Sequence, residues 1–133
     1  MLVDALANAT LDAYLGNATL LGATVYVGLM TTAPANDGSG VVEPVGNAYA
    51  RVAVLNNLTQ WPAAVARVKT HANDITFPQA TGTWGTCTHV GIFDSPTGGL
   101  LKIFDALTTP RLIVNTDTYR FLAGGANALK LTI

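Results

Sequence analysis

The sequence predicts an all-β protein: an antiparallel two-sheet β-sandwich of the jelly-roll type, with a short N-terminal helix. About eight or nine short runs of apolar and β-branched residues recur at spacings near 8–12 residues, which is typical of a sandwich or barrel. Clusters of Gly, Pro, Asn and Asp separate these runs and predict turns between strands. The clear helical periodicity is confined to the N-terminal residues. An immunoglobulin-like sandwich is the alternative, although its usual core signature of cysteine and tryptophan is missing.

We expect one domain over residues 1–133, with the helix in residues 1–16 and the sandwich in residues 24–133. Apolar residues of segment 2–15 gather on one broad side at about 100° per residue, and these are Leu2, Val3, Leu6, Leu11 and Tyr14. Asp4, Asn8 and Asp12 form the polar stripe, and Gly16 with Asn17 predicts the end of the helix. Packing on its own domain is the favoured interpretation, and docking on a neighbouring subunit is the alternative.

The predicted strands follow the apolar runs along the chain. They are residues 24–30, 49–55, 65–70, 75–77, 84–94, 100–107, 111–114, 118–122 and 129–133. Residues 31–46, with a tip at 36–40, are rich in Pro, Gly, Asp and Ser and predict a long loop. In an assembly protein such a loop would make contacts, and a merely solvated loop is the equal alternative.

The strand at residues 84–94 is predicted to lie at the centre of the fold. Simple alternation places Cys87, His89, Gly91 and Phe93 on one face of this strand. The opposite face then carries Thr86, Thr88, Val90 and Ile92. Both faces are partly apolar, so we expect a central strand covered on two sides, followed by a turn at 94–99 and a returning strand.

The composition indicates a surface that neighbouring molecules cover. Only 11% of the residues are charged, whereas an average soluble domain has about 25%. The net charge is −1, and the mean hydropathy is +0.37. Copies of such a chain repel one another weakly, which favours tight packing in an assembly over the alternative of a low-charge monomer.

Several classes of function are not expected. The seven Lys and Arg residues are scattered, so no basic patch predicts nucleic-acid binding. No apolar run approaches the roughly 20 residues of a membrane helix. The N-terminal region carries aspartates and no Lys or Arg, which argues against a signal peptide. A single cysteine excludes an internal disulfide framework.

Residues that could perform chemistry are few. Cys87, His89, His71 and Asp74 make a weak candidate zinc set, and a buried cysteine with a hydrogen-bonded histidine is the favoured interpretation. Side chains at positions i and i+2 of a strand project in parallel, so Cys87 and His89 would make a poor catalytic dyad. Hydrolase and phosphate-loop motifs are missing. We therefore expect no enzymatic activity, metal, cofactor or small-molecule substrate.

The remaining polar and aromatic residues have structural and functional interpretations. Arg51 and Arg120 lie inside predicted strands and could form cross-strand or inter-subunit ion pairs with Asp94, Asp105 or Asp117. Turn residues of this kind usually bond the nearby backbone; the acids in question are Asp37, Glu43, Asp94 and Asp117. The larger aromatic residues could form a sugar-binding platform, although such residues more often close the ends of a β-sandwich core. They are Tyr14, Tyr26, Tyr49, Trp61, Trp84 and Tyr119.

An ordered set of motifs resembles a family of small virion proteins of tailed bacteriophages. The motifs are YVGL at 26–29, GNAYARVAV at 46–54, ITFPQAT at 75–81 and WGTCTHVGIFD at 84–94. The helix segment LDAYLG at 11–16 and the ending at 121–133 are also similar to that family. The similarity covers nearly the whole chain. Family members are often labelled tail fibre proteins, and some are similar to capsid cement proteins with a jelly-roll fold.

The resemblance implies a non-enzymatic structural part of a virion. No repeat, coiled coil or collagen-like tract indicates a fibre, so a capsid cement or decoration protein is the first expectation. It would be made in the host cytoplasm, lie on the capsid surface, and bind the major capsid protein and itself as a dimer or trimer. A tail fibre or host-surface carbohydrate-binding module is the alternative. The predicted contact residues are Leu2, Leu6, Asn36, Asp37, Glu43, Arg51, Pro96 and Thr97.

Overall fold

A computed structural model describes residues 1–16 and 21–132 of the chain, without the side chains of residues 12–14. Within these residues it contains one helix and eight strands. The helix is α1 (Asp4–Leu15), and the strands are β1 (Thr24–Met30), β2 (Val52–Leu55), β3 (Val68–Lys69), β4 (Ile75–Thr76), β5 (Gly85–Phe93), β6 (Leu101–Ile113), β7 (Arg120–Phe121) and β8 (Leu131–Thr132).

A four-stranded antiparallel sheet in the order β2-β1-β5-β6 organises the chain. Val27 of β1 lies opposite Ile92 of β5, and both are at most 2% exposed. This face of the sheet packs on the main core cluster, to which two small antiparallel sheets, β3-β8 and β4-β7, contribute Ile75, Phe121 and Leu131. Burial of these apolar side chains is the main stabilising contribution of this layer.

The opposite face of the same sheet carries a second, smaller core. Met30 and Phe93 are at most 1% exposed there, and Val3, just before α1, and Leu6 of α1 pack against them. Strand β5 is buried along its last four residues because both of its faces are covered. The prediction of a central strand covered on two sides is confirmed.

The predicted facing of Cys87 and His89 is wrong. Simple alternation put them on one face, but the β5–β6 register shifts between these two residues, where Thr88 is opposite the longer segment 107–110. Such an irregularity moves the following side chains to the other face. Cys87 therefore lies in the main core with Val90, whereas His89 is paired with Met30, which belongs to the second core.

Several strands differ in extent from their predictions. Residues 100–107 and 111–114 form parts of one strand, β6, whose edge position tolerates Pro110. Strand β2 starts at Val52 and not at residue 49, because its pairing with β1 begins there, with Val52 opposite Val27. Positive φ at Ala66 and Arg67 shortens the predicted strand 65–70 to β3. The last two predicted strands, 118–122 and 129–133, shrink to β7 and β8, and Ile133 lies outside the described residues.

The helix begins two residues later than predicted and buries a narrower side. Leu2 forms an isolated bridge with Ile103 of β6, so helical geometry starts at Asp4. Leu6 is 4% exposed, whereas Leu11 is 64% exposed and Leu15 is 90% exposed. The prediction that Leu11 belongs to a single broad apolar side is therefore wrong. The predicted stop residue Asn17 and the side chain of Tyr14 lie outside the described residues.

The architecture is mostly β with antiparallel sheets and one short helix, and it is consistent with an all-β sandwich. The helix packs on the sheet of its own chain through Val3 and Leu6. The jelly-roll connectivity and the single-domain boundaries stay predictions. No helix within residues 1–16 and 21–132 has the length and apolar character to cross a bilayer.

Candidate interaction site

A groove lies between the loop that follows β1 and the hairpin that joins β5 to β6. It has a volume of about 560 Å³, and four of the predicted contact residues line it: Glu43, Arg51, Pro96 and Thr97. Residues 41–46 form one wall and residues 96–98 form the other. The chain thus brings two turn segments that are distant in sequence together at one surface.

Arg51 joins the two walls of this groove. Its Nε and Nη2 donate to the two carboxylate oxygens of Glu43 at 2.9 and 2.7 Å, a bidentate pair. Its Nη1 donates to the main-chain oxygens of Ser95 at 2.7 Å and Gly98 at 2.8 Å. The guanidinium carbon lies 3.6 Å from the ring centroid of Phe93. Since the Arg51 side chain is only 6% exposed, this contact set holds the groove from beneath.

Tyr49 links the same cluster to the central sheet. Its hydroxyl donates to Glu43 Oε1 at 2.7 Å and accepts the Leu29 main-chain N–H at 2.9 Å. Burial, together with the hydrogen bond and negative charge of Glu43, raises the pKa of Tyr49 far above its ordinary value. Both oxygens of Glu43 are engaged, so this carboxylate serves to hold neighbours in place.

Gly28 is the position of β1 that leaves room for the cluster. A Cβ atom there would lie 2.8 Å from Glu43 Oε1, 3.0 Å from the Phe93 ring and 3.0 Å from the Tyr49 hydroxyl. The glycine of the YVGL motif is therefore required because these three side chains approach the β1 main chain too closely for any larger residue.

The groove has an apolar rim. Val42 is 48% exposed and Val45 is 91% exposed on the loop wall. The charged groups beneath are paired with each other, so the accessible surface offers apolar contacts and main-chain groups. Such a surface is suited to packing against another protein, with few charges to desolvate.

The other predicted contact residues are distributed differently. Asn36 and Asp37 lie beside the start of α1, where the Asn36 carbonyl accepts the Asp4 N–H at 2.7 Å. Asp37 accepts hydrogen bonds from the Ser39 hydroxyl and N–H, which lower its pKa. Leu2 bridges to β6, and Leu6 is buried in the second core. Both leucines pack on their own chain, Leu6 fully buried and Leu2 half-buried.

The weak zinc set is dispersed. His71 accepts the Leu129 N–H at its Nε2 (3.0 Å), which assigns the ring proton to Nδ1, 2.7 Å from the Asn73 oxygen. Asp74 accepts the Ala123 N–H at 2.9 Å. Burial raises the pKa of the fully buried Cys87 to about 11. Within residues 1–16 and 21–132 no three His, Cys, Asp or Glu residues form a group that could hold a metal.

The larger aromatic residues mainly close the core. Trp61 and Trp84 are 6% and 5% exposed, so neither offers an open face for a sugar ring. The indole N–H of Trp84 donates to the Asn47 oxygen at 2.8 Å. Edge-to-face contacts join several of these rings, including Tyr49 with Trp84 and Phe77 with Tyr119. The core-closing interpretation therefore describes these residues better than a carbohydrate platform.

A second cavity, of about 350 Å³, opens on the main-core side of the sheet. Its wall is mostly apolar, and the lining residues are Leu21, Val25, Asn56, Asn57, Leu58, Trp61, Lys69, Ile92, Ile103 and Leu131. Trp61 Nε1 is buried and has no hydrogen-bond partner among the described residues.

Comparison with known protein families shows which family the chain belongs to. Residues 1–129 match the protein family described as Podophage GP4 fiber I protein gp80. The chain belongs to this family. It is a bacteriophage virion structural protein of a fibre-named family. No curated protein matches the chain.

Membership in the podophage fiber I family supports the resemblance to tailed-phage virion proteins. It also fits the tail-fibre alternative better than the capsid cement expectation. Nearly all of the motifs quoted for the resemblance lie within the matched residues. Tyr49, Arg51 and Phe93 of these motifs build the groove cluster, and Gly28 makes room for it.

The Glu43–Arg51 pair was missed by the sequence analysis. Arg51 was assigned Asp94, Asp105 or Asp117 as partners, but the structure pairs it with Glu43. Asp94 instead lies 4.0 Å from Lys102 and accepts the Leu100 N–H, and Asp117 accepts the Val114 N–H. One signal was available, because Tyr49 and Arg51 are two residues apart in a predicted strand and so share a face.

Proposed function

We propose that this chain is a non-enzymatic building block of a podophage fibre, which attaches to other virion proteins through the groove beneath Val42 and Val45. The family description, which covers residues 1–129, supports the fibre assignment. The groove supports the attachment role, because its two walls come from turn segments that Arg51 holds together.

The physical advantage of this arrangement is preorganisation. A loop that is ordered only on binding loses conformational entropy at that moment, and affinity falls accordingly. Here Arg51, Glu43 and Tyr49 order the walls in the free chain through hydrogen bonds of 2.7–2.9 Å. The low charge content reduces the desolvation cost of close packing among many copies.

The absence of enzymatic activity is part of the proposal. The nucleophile that the sequence offers, Cys87, is fully buried. The ring nitrogens of His71 and the carboxylate oxygens of Glu43 are engaged in structural hydrogen bonds. These groups support the fold, and we expect no hydrolytic or metal-dependent reaction from the purified chain.

Electron microscopy of virions labelled with a gold-tagged antibody against this chain tests the fibre assignment. We expect label on the tail appendages, and virions lacking the chain should lose adsorption to the host while their heads keep normal heat resistance. Label spread over the head surface, with normal adsorption of depleted virions, would contradict the fibre proposal.

A capsid cement protein is the second candidate function. The low charge density and the lack of a repeat or coiled coil in the sequence favour it. In this role the groove would bind the major capsid protein, copies would associate as dimers or trimers, and binding to the assembled head would stabilise it by linkage. Heads without the chain would then lose heat resistance, which separates the two candidates in the same experiment.

A matched pair of variants tests the groove itself. Thr97→Trp places a bulky side chain on an exposed wall position, so we expect its incorporation into virions to fall. Ala63→Trp adds the same bulk at an exposed position outside the groove and should be incorporated normally. Equal incorporation of both variants would exclude the groove as the attachment surface.

A further inference from the structure

A cleft on the main-core side of β6 has not yet been assigned a role. It consists of two adjoining cavities of about 280 and 260 Å³, which share Arg111, Tyr119 and Asn127 in their walls. Arg111 lies opposite Cys87 in the β5–β6 ladder, and residues paired in this way project to the same face of a sheet. Because Cys87 belongs to the main core, Arg111 lies on that side of the sheet, at the junction of the two cavities.

This cleft concentrates positive charge in a chain that is almost neutral. Arg111, Arg120 and Lys130 line it, and all three are exposed. Among the described residues, Asp117 is the acidic residue of its walls, and the Asp117 carboxylate accepts the Val114 N–H at 2.9 Å. Three cations against one carboxylate give this cationic cleft a positive potential, which attracts an anion.

The Arg111 end of the cationic cleft is far from the segment 17–20. Leu21 precedes the start of β1, whereas Arg111 is paired two residues of β5 beyond the Met30 end of β1. The seven residues of β1 span about 20 Å. At its other end the chain leaves the cleft at Leu131, which lines the separate cavity of about 350 Å³. The charge at the Arg111 end therefore comes from the residues that line it.

The remaining polar groups of the cationic cleft both donate and accept hydrogen bonds. Thr108, Thr109 and Thr118 contribute hydroxyl groups, and Tyr119 and Asn127 contribute a phenol and an amide. Such groups match the hydroxyl groups of a ligand, which also donate and accept. A guanidinium group binds a carboxylate through two parallel hydrogen bonds. A carboxylate beside several hydroxyl groups is the chemistry of a sugar acid.

The walls of the cationic cleft are held in place by their own contacts. The Tyr119 ring packs edge-to-face on Phe121, with ring centroids 5.2 Å apart. Burial raises the pKa of Tyr119, and the positive charge of the nearby Arg111 opposes this rise, so the phenol remains a donor at neutral pH. Asn127 Nδ2 donates to the Arg120 main-chain oxygen at 2.7 Å. Such ordering before binding reduces the entropy that a ligand must overcome.

We infer that the cationic cleft binds sugar acids, that is, saccharides that carry a carboxylate. Arg111 binds the carboxylate, while Arg120 in one cavity and Lys130 in the other supply a further positive charge on each side. The threonine hydroxyls bond the hydroxyl groups of the sugar. This site depends on charge, unlike an aromatic platform, and it is separate from the groove above Arg51. It goes beyond the proposed function and applies equally to a fibre or a shell position.

Isothermal titration calorimetry of the full chain tests the inference. The acidic probes are trigalacturonate and sialyllactose, and their neutral counterparts are the methyl ester of trigalacturonate and lactose. We expect an acidic probe to bind at least about tenfold more tightly than its neutral counterpart, the difference that one charge-assisted hydrogen bond provides. Added NaCl should weaken this binding because it screens the cations. Inorganic phosphate at the same concentration should not displace the saccharide.

A matched pair of variants locates the site. Arg111→Gln should weaken binding of the acidic probe at least about tenfold. Arg67→Gln removes a charge at an exposed position outside the cationic cleft and should bind as wild type does, and urea unfolding midpoints check that both variants fold. Failure of both acids to bind, equal binding of acidic and neutral probes, equal effects of the two variants, or displacement by phosphate would each overturn the inference. None of these results bears on attachment through Val42 and Val45.

Discussion

At the level of single residues, Arg51 contacts more parts of the chain than an ion pair with one carboxylate, which the sequence predicted. It bonds the loop residue Glu43, the hairpin carbonyls of Ser95 and Gly98, and the face of Phe93. A buried pair of this kind is costly to break, because the remaining charge stays desolvated. The stability of the groove therefore depends on one guanidinium group.

Replacing Arg51 tests this dependence. Arg51→Met leaves the Glu43 carboxylate, whose side chain is 19% exposed, without its partner. We expect the free energy of unfolding to fall by about 3–5 kcal/mol, measured by urea denaturation. Arg120→Met, at an exposed position, is the matched control and should change it by no more than about 0.5 kcal/mol. Equal effects would remove the central role of Arg51.

Gly28 provides a second prediction at this scale. Gly28→Ala introduces a methyl group 2.8 Å from Glu43 Oε1, so the carboxylate and its partners must move. We expect a loss of about 1–3 kcal/mol in unfolding free energy. Gly22→Ala meets its nearest atom only at 4.0 Å and should be nearly neutral in the same denaturant titration. A neutral Gly28→Ala would mean that Glu43 is not confined.

At the level of elements, α1 illustrates how one helix serves two environments. Its first turn buries Leu6, together with Val3 just before the helix, in the second core. Its last turn leaves Leu15 exposed. The apolar residues of α1 are spread around the helix axis, so the periodicity of the sequence does not define a single apolar side.

Two leucines of this helix should therefore differ sharply in their contribution to stability. Leu6→Ala creates a cavity in the second core, and we expect it to cost about 2–5 kcal/mol of unfolding free energy. Leu11→Ala removes a largely exposed side chain and should change it by about 0.5 kcal/mol or less. Thermal or chemical unfolding of the two variants compares them directly. Similar losses would show that α1 is docked differently.

At the level of the whole molecule, the central sheet is covered on both faces by unlike layers. Two small β-sheets cover one face, and α1 with the groove cluster covers the other. Tyr49 contacts the layers on both faces, since it packs against the main core and its hydroxyl donates a hydrogen bond to Glu43. A change in its ionisation should accordingly affect global stability.

The raised pKa of Tyr49 predicts loss of stability in alkali. An unfolded tyrosine loses its proton near pH 10, whereas the folded chain retains the Tyr49 proton to higher pH. The unfolded state then binds fewer protons, so the unfolding free energy decreases as pH rises above about 10. Denaturant titrations across this range should show a smaller decrease for Tyr49→Phe than for wild type. An identical decrease in both proteins would contradict the assignment.

Parts of the candidate site could be predicted from the sequence, and parts could not. The long loop and the hairpin turn are marked by Gly, Pro and Asp, so the sequence could place Pro96 and Thr97 in a turn, and both are exposed in the structure. The turn aspartates Asp37, Asp94 and Asp117 bond nearby main-chain groups as expected. The partner of Arg51 was not found, because it depends on how the loop folds back across β1.

The sequence by itself determined the β-rich class, the central strand and the virion family, because composition, alternation and ordered motifs are local properties of the chain. The tertiary structure decided which residues face the core and which form the groove. The irregularity opposite Thr88 separates Cys87 from His89, and the folded-back loop pairs Glu43 with Arg51. Both depend on register and loop path, which arise from contacts between segments distant in the chain and not from the pattern within any one of them.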